Sequence, residues 1–253
     1  MTTLVEAVTA IVAAKEKTGK PLAVVVAGHN GSGKSTMWSK TLSPMLRMPL
    51  VNADRMMLSV LPEPEPRPDG SLCKGAKDRL PEWASTLRDT DEGWMGVAQK
   101  GVESFVVQAM AHRVPFAMET VFSHWKPLGD GRFESKIDRI RDMQSAGYFV
   151  LLVFVGLTNV QTSIARVHTR IGRGGHAVPQ NKLIERFPRT QTAIAAAIPV
   201  ADAAILADNS RGPDQAFTVC RVQLRKKKLF DLRDHAPAVP PEIAAWLHKI
   251  SPR

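Results

Sequence analysis

Apolar residues along this chain fall into two patterns that alternate, short unbroken runs and stripes at helical spacing. Pro21-Leu22-Ala23-Val24-Val25-Val26-Ala27 and Tyr148-Phe149-Val150-Leu151-Leu152-Val153-Phe154-Val155 are continuous apolar runs, the pattern of strands covered on both faces in a parallel sheet. Leu50-Val51-Asn52-Ala53, Val114-Pro115-Phe116-Ala117-Met118 and Ala203-Ala204-Ile205-Leu206-Ala207 predict three more strands, and the stretch from Phe217 to Leu224 predicts another. The helical stripes lie between them. Leu4, Val5, Val8, Ile11 and Val12 follow the capping box Thr3-Leu4-Val5-Glu6, and Val97, Gly101, Val102, Phe105, Val106 and Ala109 share one side of a helix over Glu92 to Ala111. Further helices are expected over Lys136 to Ala146, Asn159 to Ile171, from Val178-Pro179 onward, and over Pro241 to Ile250. Such alternation predicts an α/β three-layer sandwich whose mostly parallel central sheet has about five or six strands.

One stretch breaks the pattern. Leu61-Pro62-Glu63-Pro64-Glu65-Pro66-Arg67-Pro68-Asp69-Gly70 cannot be a helix or central strand, because proline fixes φ and removes backbone donors. We read about 61–90 as a loop-rich insertion in a single domain over 1–253, since no linker divides the chain. With 44% apolar residues there is ample material for a core. Cys73 and Cys220 are far apart and outside any ligand spacing, which argues against a disulfide framework or zinc site and for a reducing compartment. No export signal or span of membrane length is evident, so a cytoplasmic location is expected. The net charge is +10. Its densest cluster, Arg221 with Arg225-Lys226-Lys227-Lys228, flanks a late strand. We read it as protection of a sheet edge on a solvated surface rather than as a nucleic-acid interface.

Between the first buried strand and the helix after it, Gly28-His29-Asn30-Gly31-Ser32-Gly33-Lys34-Ser35-Thr36 matches the phosphate-binding loop G-x-x-x-x-G-K-[ST]. Glycines let the backbone curl so that its N–H groups converge on phosphates. Lys34 reaches the terminal phosphates, and the Ser35 hydroxyl can hold Mg²⁺. Asn30, Gly31, Ser32, Gly33, Lys34, Ser35 and Thr36 are therefore the expected ATP contacts. Asp54 follows the second strand and Glu119-Thr120 the third, so all belong to the crevice beyond the strand ends. Phosphoryl transfer needs a carboxylate at the acceptor hydroxyl and cations at the phosphoryl oxygens. Asp54 suits the base, or a Mg²⁺ holder or a turn cap; Glu119 suits an acceptor contact or a cap, and Thr120 beside it is a further candidate acceptor contact. Arg166, Arg170 and Arg173 recur at i, i+4 and i+7, and glycines follow them, which suggests a hinged basic lid at about 166–179 or else a solvated helix face. Asn209 and Ser210 follow a late strand where adenine can lie, and Trp125 and Lys126 are candidate substrate contacts. His29, His124 and His176 read as loop histidines rather than catalysts. There is no guanine-reading N-K-x-D or T-K-x-D, and no apolar run ending in paired carboxylates, which argues against a switch GTPase or a mechanical ATPase.

The loop together with Asn52-Ala53-Asp54, Glu119-Thr120, Phe154-Val155-Gly156-Leu157, Ser163-Ile164-Ala165-Arg166-Val167, Arg173-Gly174-Gly175-His176-Ala177-Val178-Pro179 and Arg186-Phe187-Pro188-Arg189 resembles the zeta toxin family over roughly residues 20–210. The resemblance implies a P-loop kinase fold and ATP-dependent phosphorylation of a sugar hydroxyl of UDP-N-acetylglucosamine, which poisons peptidoglycan precursor synthesis. It also implies Asp54 as base, Lys34 and Ser35 on phosphate and Mg²⁺, Glu119 on the nucleotide sugar, and Arg166 with Arg173 or Arg170 as lid arginines. A neutralising antitoxin is then expected as a separate protein. Some relatives act on nicotinamide dinucleotides, and chloramphenicol phosphotransferases look similar. Kinases of an antibiotic, a dinucleotide or a nucleic-acid 5′ end therefore stand as alternatives, beside a non-catalytic nucleotide sensor.

Overall fold

The computed structural model describes residues 2–62, 81–172, 178–235 and 239–252. Helix α1 (Leu4–Glu16) opens on its capping box: the Thr3 hydroxyl accepts from Glu6 N–H while the Glu6 carboxylate accepts from Thr3 N–H. Strand β1 (Leu22–Gly28) leads into the phosphate loop. A short helix α2 (Lys34–Met37) follows, then a π-helical turn (Trp38–Leu42) and α3 (Ser43–Leu46). Pro44 explains the turn, since it has no N–H for the carbonyl four residues back; the ladder slips, and Ser43 N–H reaches Trp38 O instead. Then come β2 (Leu50–Val51), α4 (Ala53–Ser59), α5 (Glu82–Thr90), α6 (Glu92–Ala111) and β3 (Phe116–Thr120). A hairpin of β4 (Trp125–Pro127) and β5 (Phe133–Ser135) precedes α7 (Ile137–Ser145), β6 (Phe149–Gly156) and α8 (Val160–Gly172). The chain finishes with α9 (Gln180–Ala197), β7 (Ala203–Asp208), β8 (Thr218–Leu224), β9 (Lys227–Asp231) and α10 (Pro241–Ile250).

Among the described residues seven strands form the central sheet in the order β2-β3-β1-β6-β7-β8-β9, the first five mutually parallel, β8 antiparallel to β7 and β9 antiparallel to β8. The expectation of five or six falls short by β9. There Lys227 and Lys228 lie on the edge strand itself, after a turn that Arg225 makes at φ +51°. The β4–β5 hairpin was also not expected. Each of its strands is three residues long, too short for a period of two to show.

Alternation within the apolar runs decides what each residue packs on. Ala23, Val25 and Ala27 of β1, with Val150, Leu152 and Phe154 of β6, face a layer from α6, α7, α9 and α10. Leu22, Val24 and Val26, with Phe149, Leu151, Val153 and Val155, face α1 and the helix after the phosphate loop. Both faces are covered. This is why β1 and β6 carry no polar side chain, and why the chain is the three-layer α/β sandwich expected.

The five parallel strands end at one crest, in register: Val51 lies beside Met118, Ala27 beside Thr120, Gly28 beside Val155, and Gly156 beside Asp208. Everything that follows those residues is thereby gathered at one edge. Of the expected insertion, residues 63–80 lie outside the described residues, and its last part is α5.

Gly156 closes β6 against α10, where a methyl group would overlap the Trp246 ring. Gly156→Ala should lower stability by about 1–3 kcal/mol through this overpacking, measured as a shifted urea-denaturation midpoint with unchanged slope.

Candidate active site

A phosphate-binding loop works only if its carbonyls turn outward, leaving the N–H groups to face the ligand. Here side chains tie those carbonyls back. Ser163 Oγ, from α8, donates to Asn30 O at 2.7 Å. Asn209 Nδ2, just beyond β7, donates to Ser32 O at 2.8 Å, and Lys34 Nζ donates to Gly28 O and His29 O, each at 3.0 Å. The glycines fit the same plan. Gly33 holds φ +92°, and a Cβ there would meet Asn209 Nδ2 at 2.7 Å; a Cβ on Gly31, at φ +71°, would meet Arg166 Cβ and Ser163 O at 3.1 Å. A methyl on Gly28 would overlap the Val155 carbonyl of the neighbouring strand.

Lys34 is buried, and burial pulls its ammonium below the usual lysine range. Glu119 and Asp54 oppose that shift and Arg170 adds to it, so all three charges bear on Lys34. The Ser35 hydroxyl donates to the Glu119 carboxylate at 3.0 and 3.1 Å, joining the end of β3 to the first turn after the loop. Ser35 and Glu119 together offer hard oxygen donors of the kind Mg²⁺ prefers. Asp54 sits exposed in the first turn of α4, and Asn52 caps that helix by accepting from Arg55 N–H at 3.1 Å.

The sequence-derived residues therefore converge in part. Lys34, Ser35, Glu119, Asp54 and Arg170 share one electrostatic neighbourhood at the crest. Arg166 lies against Gly31 and donates to the Arg211 carbonyl at 3.4 Å. Arg173 and most of the lid after it lie outside the described residues. Thr36 is exposed on the helix after the loop. Asn209, expected beside adenine, has its amide nitrogen on the loop carbonyl, because β7 ends level with the loop. Thr120, expected at the acceptor, is buried and accepts from Phe122 N–H at 3.2 Å, closing the turn after β3. Glu119, read as an acceptor contact, lies on Ser35.

Two residues escaped sequence reasoning as working parts of the site. Ser163 stood in the quoted family segment without a role. His29, read as a loop histidine, is 2% exposed, its Nδ1 accepts from Leu157 N–H at 3.3 Å, and its ring stacks on Phe187 at 4.0 Å. Burial, with the nearby Lys34 charge, pushes this imidazole down to about 3, against the Phe187 carbonyl, which pulls the other way. An accepting Nδ1 requires a neutral ring protonated at Nε2. The loop position of His29 in the sequence carried no sign of its burial.

The sequence matches no protein-family model. It is 24% identical over 165 residues to an uncharacterised protein of Haemophilus influenzae, covering 65% of this chain and 91% of that one. Among solved structures, it is similar to one from the PezAT chromosomal toxin-antitoxin system of Streptococcus pneumoniae, with TM-score 0.50 and 11% identity over 99% of this chain and 88% of that one. It is also similar to the AvrRxo1-ORF1:AvrRxo1-ORF2 complex, at TM-score 0.59 and 12% identity, and to the same complex with ATP, at 0.57 and 13%; each covers 98% of this chain and 70% of that one. The likeness is one of fold: a mostly parallel α/β sandwich with a phosphate-binding loop after its first strand. Among the described residues no helix is long and apolar enough to cross a membrane.

His29 makes stability depend on pH with a known sign. Its folded value of about 3 lies below the ordinary imidazole value of 6.5, so below pH 6.5 the unfolded chain takes up a proton that the folded chain does not. Stability should fall as pH drops from 6.5 towards 3, by up to about 1.4 kcal/mol per pH unit from this residue. Urea denaturation at pH 7, 6 and 5 should show a shallower slope for His29→Phe than for the parent. Asn209→Ala, which frees the Ser32 carbonyl, should cost about 1 kcal/mol of stability and weaken binding of an ATP analogue, measured by calorimetry.

Proposed function

We propose that this protein is an ATP-dependent kinase that phosphorylates a sugar hydroxyl of a nucleotide sugar, UDP-N-acetylglucosamine, and acts as a zeta-type toxin. The observation that carries the reading is the Ser35–Glu119 contact at 3.0 Å beside buried Lys34. It brings a carboxylate from the third strand onto the serine that follows the phosphate-loop lysine, as a transfer site requires and a passive nucleotide holder does not.

In this reading the loop amides of Asn30 to Lys34 and the Lys34 ammonium hold the β- and γ-phosphates. Ser35, with Glu119 beside it, would hold Mg²⁺, which supplies charge neutralisation on the phosphate oxygens. Asp54 accepts the proton of the acceptor hydroxyl as that oxygen attacks the γ-phosphorus, and the bond to the bridging oxygen breaks with its electron pair leaving on ADP. Arg166 and Arg170 stabilise charge on the transferring group from α8. Exposure of Asp54 at the crest supports this division, because a base must meet an acceptor arriving from solvent. The resemblance to zeta toxins supplies the acceptor, and the toxin-antitoxin system named for one structural neighbour supports a separate antitoxin as partner.

Mass spectrometry of a metabolite pool incubated with the protein, ATP and Mg²⁺ should show UDP-N-acetylglucosamine gaining one phosphate. Asp54→Asn should lower that rate by about 10²–10⁴-fold while leaving ATP affinity nearly unchanged. If no metabolite gains a phosphate, the kinase reading falls; if a different one does, only the acceptor is wrong.

A further inference from the structure

Two helices flank the phosphate loop: α8, which carries Arg166 and Arg170, at Asn30 and Gly31, and α9 at His29. On one side α8 donates from Ser163 to the Asn30 carbonyl and crowds Gly31, where a Cβ would lie 3.1 Å from Arg166 Cβ and Ser163 O. On the other side α9 presents Phe187, stacked at 4.0 Å and 17° on the His29 ring. That ring is pinned from below by the Leu157 N–H and by the edge of Phe154, 5.5 Å away at 60°. Leu183 and Arg186 of α9 line the narrow gap beside it, together with Asn30 and Val121.

Burying an imidazole costs hydration that a leucine would not forfeit, and nothing in the phosphate loop's own chemistry requires a ring at position 29. Its place makes sense through α9. Pro188 directly follows Phe187 inside this helix. Proline has no N–H for the carbonyl four residues earlier and crowds it, so the helix is weakest there. The segment Gln180–Phe187 is therefore joined to the rest of α9 by one helical hydrogen bond fewer, and the His29 stack gives it a second attachment.

We propose that His29 and Phe187 form a joint that registers helix α9 on the phosphate loop, making His29 a positioning residue of the nucleotide site. The inference rests on the kinase reading and goes beyond it: ordering of the loop by phosphates is transmitted to 180–187, and ordering of 180–187 tightens nucleotide binding in return.

The test is a double-mutant cycle on His29→Ala and Phe187→Ala, with the affinity of a non-hydrolysable ATP analogue measured by calorimetry and hydrogen exchange followed with and without the analogue. In the parent, the analogue should slow exchange over 29–36 and over 180–187. Each single variant should bind about tenfold more weakly, keep protection over 29–36 and lose it over 180–187, and the double variant should bind no worse than the singles. His29→Phe, which keeps a flat ring, should stay within about threefold of the parent. A merely structural role would lower the melting temperature without moving protection selectively. Additive losses in the double variant, or protection of 180–187 that survives in both singles, would overturn the joint. If His29→Ala cannot be purified folded, Phe187→Leu, which fills the site without a flat ring, takes its place: it should lose protection over 180–187, and its retention there would overturn the joint. If the parent binds no nucleotide, the kinase reading fails and the joint with it; if the parent binds and transfers phosphate while the cycle is additive, only the joint fails.

Discussion

The structure depends on holding backbone carbonyls of the phosphate loop away from the crest. A peptide unit cannot offer its N–H to a phosphate and its carbonyl to the same anion, so each unit that serves the site needs a partner behind it. Ser163, Asn209 and Lys34 are those partners, and they come from α8, from the residue after β7 and from the loop's own helix. Strand order explains the choice. Since β1 lies next to β6, and β6 next to β7, the segments that follow these strands emerge beside the loop.

Electrostatics follow from the same arrangement. Lys34 is buried beneath its own loop and loses hydration, which a nearby carboxylate offsets only in part. Glu119 reaches the site because β3 is the other neighbour of β1, and Asp54 because β2 pairs with β3 one place further out. Exposure rises from the buried lysine through half-buried Glu119 to exposed Asp54. In the proposed transfer, that gradient would shield the phosphoryl group while leaving the acceptor free to enter.

Elements long enough to show their period were legible in the sequence. The two unbroken runs became β1 and β6, and the stripe with its capping box became α1. Elements of two or three residues were not: β4 and β5 offer too few positions to reveal alternation, and β9 was masked by the lysines that protect an edge. Within the site, the phosphate loop was readable because its glycines are demanded by close approach, as Gly28, Gly31 and Gly33 show. Asn209 could be placed at the crest by its position after a strand. Its actual duty, holding a carbonyl, depended on which strand lay next to which.

The sequence alone determined the layers, the crest at which the chemistry gathers, and the identity of the phosphate loop, because periodicity, strand length and glycine steric freedom are local properties. Only the tertiary structure decided which side chains meet there. Ser35 lies 84 residues from Glu119, Asn30 lies 133 from Ser163, and His29 lies 128 from Leu157. Such pairings are set by strand order and helix seating, which no short stretch of sequence encodes. For the same reason His29 passed as an ordinary loop residue until Phe154 and Phe187, both remote in sequence, were found packed around it.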